Sequence, residues 1–208
     1  MAASEVIVIG GAPFSGKTTL ARRLAAQKGY ALVAVDDLST AVRAVTTPQS
    51  HPALHPMAGW EYRAYYIAHT PATLIRHSIR EHEALWPAIV AVIDAHLQWA
   101  GPMILEGWQL DPTHVASLTH PQLRACWLLV DDAVLEARLR ADTAFYDGCA
   151  DVERLIRHYL ARSCWVNDRV RQAAVHEAGV VLEVGPGETV DTLVTRCMQR
   201  LWPGEASW

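Results

Sequence analysis

The residues with the clearest chemical potential lie between residues 10 and 19. They read GGAPFSGKTT and directly follow an apolar run at residues 6–9. Residues 11–18 fit the pattern G-x-x-x-x-G-K-[ST], whose chemistry is the binding of phosphate groups. Glycines let the backbone curl so that successive N–H groups face phosphate oxygens, and the following helix presents its positive end to the same anion. The sequence therefore predicts a P-loop between a buried strand and a helix.

We expect this loop to bind ATP. Lys17 would reach the β- and γ-phosphates, and the Thr18 hydroxyl would be a Mg²⁺ ligand. The guanine-reading pattern N-K-x-D is absent, since Asn167 is the only asparagine. A motor or AAA-type ATPase usually needs a longer chain, so 208 residues favour a small kinase. The residues expected to contact the nucleotide are Gly11, Ala12, Pro13, Phe14, Ser15, Gly16, Lys17, Thr18 and Thr19, joined by Arg140.

Four carboxylates stand at the ends of apolar runs, where the ligands of open α/β sheets bind. Asp36 and Asp37 follow the second run; either could accept the proton of a substrate hydroxyl, or cap the next helix. Glu106 ends the third run, which we expect beside the P-loop strand, so its carboxylate would face the metal and the substrate. Asp131, after CWLLV, fits the same metal-binding pattern by its letters, but we interpret it as a helix cap.

Other candidate residues surround these acids. Arg138 and Arg140 follow the fourth apolar run and are expected to close over the phosphates, because arginine neutralises charge on a transferring phosphoryl group. Most of the other arginines in this part of the chain are interpreted as a solvated helix face. Arg43 lies in the expected cap, and His55 and Trp60 lie in its Pro- and His-rich segment; with Asp37 they are candidates for binding the substrate.

The pattern of elements predicts a single α/β domain over residues 1–208. Five apolar runs, at residues 6–9, 31–35, 103–105, 126–130 and 180–184, alternate with helical patterns, as in a parallel sheet covered on both faces. We expect the strand order 2-3-1-4-5. Residues 38–101, with helices over residues 71–83 and 86–99, would form a helical cap insertion, and residues from about 138 to 165 a lid. A long helix is expected over residues 152–178.

Composition excludes several classes. The net charge of −4 and the sequence pI of about 6.2 provide no basic surplus for nucleic acid. No run reaches the length of a membrane span, and the start lacks a secretory signal, so we expect a cytoplasmic protein with no membrane partner. The four scattered cysteines favour reduced thiols. Exposed aromatic residues of the cap would allow a homodimer.

These segments together resemble the 2-phosphoglycerate kinase family and related small-molecule P-loop kinases. IGGAPFSGKTT matches the family's P-loop, VDDLSTAVR resembles its T-D-S-I-R-E-V-M-R stretch at Asp36 and Arg43, and PALH resembles its P-x-L-H segment. ILEGWQLDP resembles I-I-E-G-x-H-L-x-P at Glu106, with Gln109 in place of its His. Chloramphenicol phosphotransferase, similar at Asp36, uses that position to activate a substrate hydroxyl. The resemblance favours Asp36 over Asp37 as the base.

The resemblance implies an ATP- and Mg²⁺-dependent kinase that phosphorylates a small molecule. In that role Lys17, Asp36, Glu106 and Arg138 would be catalytic, and Thr18 and Glu106 would hold the metal. Because Leu38-Ser39-Thr40 replaces the family's Ile-Arg-Glu, an arginine is lost, and we expect a less anionic acceptor than phosphoglycerate. Two alternatives are a regulatory NTPase that hydrolyses ATP without an acceptor and a binding module without catalysis.

Overall fold

A parallel sheet of five strands forms the centre of the protein. The computed structural model describes residues 4–175 and 179–204. The strand order is β2-β3-β1-β4-β5, and every neighbouring pair is parallel. The predicted fold class and strand order are therefore confirmed. The strands are β1 (Val6–Gly11), β2 (Ala31–Ala34), β3 (Met103–Gly107), β4 (Leu123–Val130) and β5 (Val180–Val184).

Nine α-helices surround this sheet in the described part of the chain. A short 3₁₀ turn (Pro52–Leu54) and a π-helical turn (His96–Ala100) supplement them. The helices are α1 (Lys17–Lys28), α2 (Val35–Ala44), α3 (Tyr62–Ala68), α4 (Pro71–Ala95), α5 (Pro112–Ala116), α6 (Asp132–Ala141), α7 (Thr143–Tyr146), α8 (Val152–Val175) and α9 (Val190–Leu201).

Alternation along β1 explains why both faces of the sheet are covered. Ile7 and Ile9 belong to one buried cluster, which includes side chains of α1 and α9. Val6 and Val8 belong to a second cluster, with side chains of α4 and α5. Successive side chains of a strand point to opposite faces, so a strand that is apolar at every position needs helices on both sides.

The register of the sheet brings the ends of three strands together. Gly10 of β1 lies opposite Gly107 of β3, and Glu106 lies opposite both Ile9 of β1 and Ala34 of β2. Because all strands are parallel, the segments after β1, β2 and β3 leave the same edge of the sheet. This edge holds the P-loop sequence, Asp36 and Glu106.

Helix α4 differs from the prediction of two separate helices. It runs without interruption through Pro87, although a proline removes one backbone hydrogen bond. Leu85 and Ile89, on either side of this proline, are fully buried against the sheet. Burial of these side chains outweighs the lost hydrogen bond, so one helix forms. The predicted end of α8 at residue 178 lies outside the described residues.

A third buried cluster joins the segment before α4 to the later helices. It contains Tyr65 and Tyr66 of α3, Leu74 of α4, Leu139 of α6 and, from α8, Leu155, Ile156 and Tyr159. The two halves of α4 therefore have different neighbours. The first half packs with α3 and α8, and the second half packs on the sheet.

Two further observations bear on the sequence-based expectations. Within residues 4–175 and 179–204, no helix is both long enough and apolar enough to cross a membrane. All four cysteines are free thiols, and the Sγ atoms of Cys126 and Cys197 lie 3.7 Å apart in the core.

Substitution of Gly10 tests the packing of the strand that precedes the P-loop against Trp127. A Cβ atom at this position would lie 2.1 Å from Cζ3 of the fully buried Trp127. We expect Gly10→Ala to lower the free energy of unfolding by about 1–3 kcal/mol, because the indole cannot move without disturbing the core. Urea denaturation measures the change. The control is Gly185→Ala, where no atom lies within 4 Å of the added carbon; equal stability of the two variants would contradict the argument.

Candidate active site

The loop between β1 and α1 has the backbone of an anion site. Gly16 precedes α1 with φ = 97°, a conformation that glycine adopts without strain, and no side chain caps the helix. The first N–H groups of α1 are thus available to an anion. The Ser15 hydroxyl beside them is buried and has no hydrogen-bond partner among the described residues.

Phe14 is the one described non-glycine residue with positive φ, at 65°. This conformation costs about 1–2 kcal/mol for a residue with a side chain. Edge-to-face contacts of its ring with Phe145 and Tyr159 oppose that cost, with ring centroids 6.1 and 6.0 Å away. Arg138 also donates hydrogen bonds to the Phe14 and Ser15 carbonyl oxygens, at 3.0 and 3.1 Å. The predicted lid arginine therefore holds the loop itself.

Lys17 is buried at the start of α1. Burial lowers the pKa of its amine, because the charged form loses water, while the negative charges of Glu106 and Asp36 oppose this effect. Burial also raises the pKa of Glu106, and Lys17 and the Thr18 hydroxyl act in the opposite direction. The structure thus brings together the predicted lysine and the carboxylates from the ends of two other strands.

Thr18 and Glu106 fit the predicted metal role. The Thr18 hydroxyl donates a hydrogen bond of 3.1 Å to Oε1 of Glu106. Both supply hard oxygen atoms, which Mg²⁺ prefers, and Mg²⁺ in nucleotide sites takes only one or two protein carboxylates. No cluster of three or more His, Cys, Asp or Glu side chains suited to a metal occurs among the described residues. The site accordingly suits a metal that shares its ligands with phosphate and water.

A cavity of about 370 Å³ lies on the α9 side of the loop. The segment between β5 and α9 forms its far wall, so an elongated ligand with phosphates on the loop could extend along it. Polar and apolar groups both contribute to the lining, which consists of Phe14, Ser15, Gly16, Lys17, Thr18, Thr19, Leu20, Arg138, Val184, Glu188, Thr189, Val190 and Leu193.

A second cavity, of about 310 Å³, also borders Lys17. It is formed by the ends of β2 and β3, the cap and α8. Charged and aromatic side chains alternate around it, and it shares Phe14 and Lys17 with the first cavity. The lining residues are Pro13, Phe14, Lys17, Asp36, Arg43, Met57, Tyr62, Tyr66, Glu81, Trp108, Gln109, Tyr159 and Arg162.

Asp36 is the acid that faces this second cavity. It lies in the first turn of α2, and its Oδ1 accepts a hydrogen bond of 2.6 Å from Nε2 of Gln109. Arg43 forms an ion pair of 2.7 Å with Glu81 on the cavity wall. Burial raises the pKa of Glu81, and the guanidinium of Arg43 opposes that shift. Gln109 thereby orients the carboxylate of Asp36 toward the space beside Lys17.

The remaining predicted residues have other surroundings. Asp37 is exposed beside Asp36 and is not part of the second cavity's lining. His55 contacts the Thr46 hydroxyl at 3.0 Å, and Trp60 is 47% exposed with its ring against His69. Arg140 forms ion pairs with two glutamates of the surface, Glu136 and Glu153. The Asp131 side chain accepts a hydrogen bond from the Ala133 N–H, as expected for a helix cap.

Several cavity residues were not predicted from the sequence. Gln109, Glu81, Trp108 and Arg162 all line the second cavity. Arg162 had a detectable signal, because it continues the stripe of Leu155, Tyr159 and Val166 at helical spacing, where a charged residue is unexpected. Gln109 had only its place in the family resemblance, where it replaces a His, and its hydrogen bond to Asp36, which spans 73 residues, had no local signal.

Solved structures with a similar fold include kinases of small molecules. A sugar kinase from Janibacter superposes with a TM-score of 0.57 at 16% identity, covering 95% of this chain and 94% of that one. A gluconokinase from Sinorhizobium meliloti gives 0.53 at 16% identity, with 93% and 89% covered. Shikimate kinase from Acinetobacter baumannii gives 0.52 at 13% identity, with 95% and 92% covered. At these identities the likeness concerns the fold.

Sequence comparison identifies the family of the chain. No curated protein matches the chain significantly. The family AAA_33, described as an AAA domain, matches residues 6–154. The closer resemblance to 2-phosphoglycerate kinases stays a prediction. Because the match spans well over half of the chain and includes the P-loop and both strand-end carboxylates, the chain belongs to the AAA_33 family of P-loop proteins.

Proposed function

We propose that the protein transfers the γ-phosphoryl group of ATP to a hydroxyl of a small-molecule acceptor. One observation carries the proposal. Two cavities meet at Phe14 and Lys17, one beside the uncapped end of α1 and the other beside the oriented carboxylate of Asp36. A phosphoryl group held at Lys17 would have a nucleotide on one side and an acceptor on the other, which is the arrangement that in-line transfer requires.

Each residue at the junction of the two cavities has a separate role in the reaction. Asp36 accepts the proton of the acceptor hydroxyl as that oxygen forms its bond to the γ-phosphorus and the bond from phosphorus to the β-phosphate oxygen breaks. Lys17 stabilises the negative charge on the oxygens of the transferring group. Arg138 keeps the Phe14 and Ser15 carbonyl groups turned away from the phosphates by binding their oxygens. Mg²⁺, held by Thr18 and Glu106, would neutralise phosphate charge when bound.

The size of the second cavity limits the acceptor. A volume of about 310 Å³ suits a metabolite of sugar-acid size. Similar structures include a gluconokinase and a shikimate kinase bound to shikimate, whose names indicate hydroxylated acceptors for the same fold. The resemblance to 2-phosphoglycerate kinases around Asp36 and Glu106 supports the same size class. We therefore propose a small polyhydroxylated acceptor.

A second candidate is hydrolysis of ATP without an acceptor, as in a regulatory NTPase. The description of the matching family as an AAA domain favours it. The second cavity argues for transfer, because a hydrolase needs room for one water molecule and no enclosure of this size beside Lys17. The two functions differ in whether ADP release depends on an added acceptor.

Lys17→Met is expected to weaken ATP·Mg²⁺ binding by about 10- to 100-fold, because it removes a charged hydrogen-bond donor from the phosphates. Isothermal titration calorimetry measures the dissociation constant. The control is Arg23→Gln on the exposed face of the same helix, where the ion pair with Asp191 contributes little. Unchanged affinity in the Lys17 variant would refute the assignment of this loop.

Asp36→Asn is expected to lower acceptor-dependent ADP release by about 100-fold or more, because an amide cannot accept the proton. The assay uses ATP·Mg²⁺ with sugar acids, polyols, nucleosides and hydroxylated antibiotics. Asp37→Asn is the matched control, since the neighbouring carboxylate is exposed and lies outside the cavity lining. A larger loss from Asp37→Asn would reverse the two roles, and release independent of every acceptor would favour the regulatory NTPase.

Glu106→Gln is expected to raise the Mg²⁺ concentration needed for half-maximal ADP release by about tenfold, because a carboxylate ligand becomes a neutral amide. Titration of Mg²⁺ at constant ATP measures the change. Asp131→Asn serves as the control, since this carboxylate caps α6 and should leave the metal requirement unaltered. If Asp131→Asn shifts the requirement instead, the metal carboxylate is on β4.

A further inference from the structure

Arg162, on α8, is a buried cation that forms no ion pair with a carboxylate of the described residues. Its exposed fraction is 7%, and it lines the second cavity. None of the ion pairs formed by the described residues includes it. One terminal nitrogen donates to the Tyr66 hydroxyl, whereas the buried Nε has no hydrogen-bond partner among the described residues. A buried guanidinium with an unused donor is costly unless something binds it.

The aromatic rings around Arg162 hold it without neutralising it. The guanidinium carbon lies 4.4 Å from the ring centre of Trp108, 4.6 Å from that of Tyr159 and 5.1 Å from that of Tyr66. Burial raises the pKa of Tyr66 to about 12, so its hydroxyl is uncharged at neutral pH. Cation–π contacts stabilise the guanidinium in a fixed orientation, but they leave its full positive charge in the cavity.

The two acids of the same cavity have other partners. Glu81 is paired with Arg43, and Asp36 accepts the hydrogen bond of Gln109. The Arg43–Glu81 pair contributes no net charge, and Asp36 is needed to take up a proton. The charge of Glu81 also favours the Arg162 cation, but Glu81 is already paired with Arg43, so Arg162 has no ion-pair partner of its own among the described residues.

We propose that Arg162 binds an anionic group of the acceptor, a carboxylate or a phosphate, so that the substrate class is a small hydroxylated anion. This inference rests on the proposed function and extends it. The anionic group would take the free donor of Arg162 while a hydroxyl of the same molecule lies at Asp36. It departs from the expectation of a less anionic acceptor, since it gives the arginine missing near Asp36 a counterpart on α8.

The test compares acceptors that differ only in charge. The pairs are gluconate with sorbitol and glycerate with glycerol, and 2-phosphoglycerate represents the phosphate group. Protein labelled with ¹⁵N-arginine and saturated with ADP·Mg²⁺ reports binding through the Nε–H signal of Arg162, assigned with Arg162→Lys. We expect this signal to shift with at least one anion and with neither neutral polyol. No shift with any anion, or equal shifts with the polyols, would overturn the inference.

Kinetics on the best anionic acceptor give a second readout. Arg162→Lys retains the charge but loses the paired donors, and we expect its KM to rise about tenfold or more. Arg162→Gln should also abolish the preference for the anion over its neutral partner. Arg157→Gln, on the exposed face of α8, is the control and should leave KM unchanged. If Arg162→Gln does not fold, Arg162→Lys alone decides.

The outcomes separate this inference from the proposed function. Transfer to a neutral polyol with unchanged kinetics in the Arg162 variants would overturn the anion site and preserve the kinase. An Arg162 shift with gluconate or glycerate, without transfer to any acceptor, would support the anion site and contradict the kinase.

Discussion

The burial of the Lys17 amine is the constraint on which the site depends. An ammonium group loses its water when it is enclosed, and only nearby negative charge restores its free energy. The chain supplies that charge from Glu106 and Asp36, which follow different strands. Both reach the amine because β3 lies between β1 and β2 and all three strands run parallel. The strand order is therefore an electrostatic requirement as well as a packing arrangement.

Aromatic rings connect the phosphate loop with the acceptor cavity. Phe14 holds an unfavourable backbone conformation in the phosphate loop, and its ring contacts Phe145 and Tyr159. Tyr159 also lies against Arg162 in the acceptor cavity. The conformation of the nucleotide loop and the position of the acceptor-side cation thus share one side chain of α8. Phe14 lines both cavities, whereas Tyr159 lines only the second.

The features that could be predicted are those that short stretches of sequence determine. The P-loop and the five strands follow from runs of a few residues, and so do the positions of Asp36 and Glu106 at strand ends, whereas the strand order is the one expected of small P-loop kinases. The features that were not predicted depend on contacts between residues far apart in the sequence. Pro87 lies inside a helix because the sheet buries its neighbours, and Gln109 meets Asp36 across 73 residues. Arg162 was placed with solvated arginines because the rings that enclose it come from three separate segments.

The continuity of α4 has a consequence for how this protein can diversify. Toward its start α4 supplies Leu74 to the cluster with α3 and Glu81 to the wall of the acceptor cavity, whereas Leu85, Ile89 and Ile93 belong to the core of the sheet. Substitutions in the first half of this one helix can alter which acceptor is admitted and leave the core of the sheet intact. Acceptor recognition and the stability of the sheet can therefore evolve independently through substitutions in different parts of one helix.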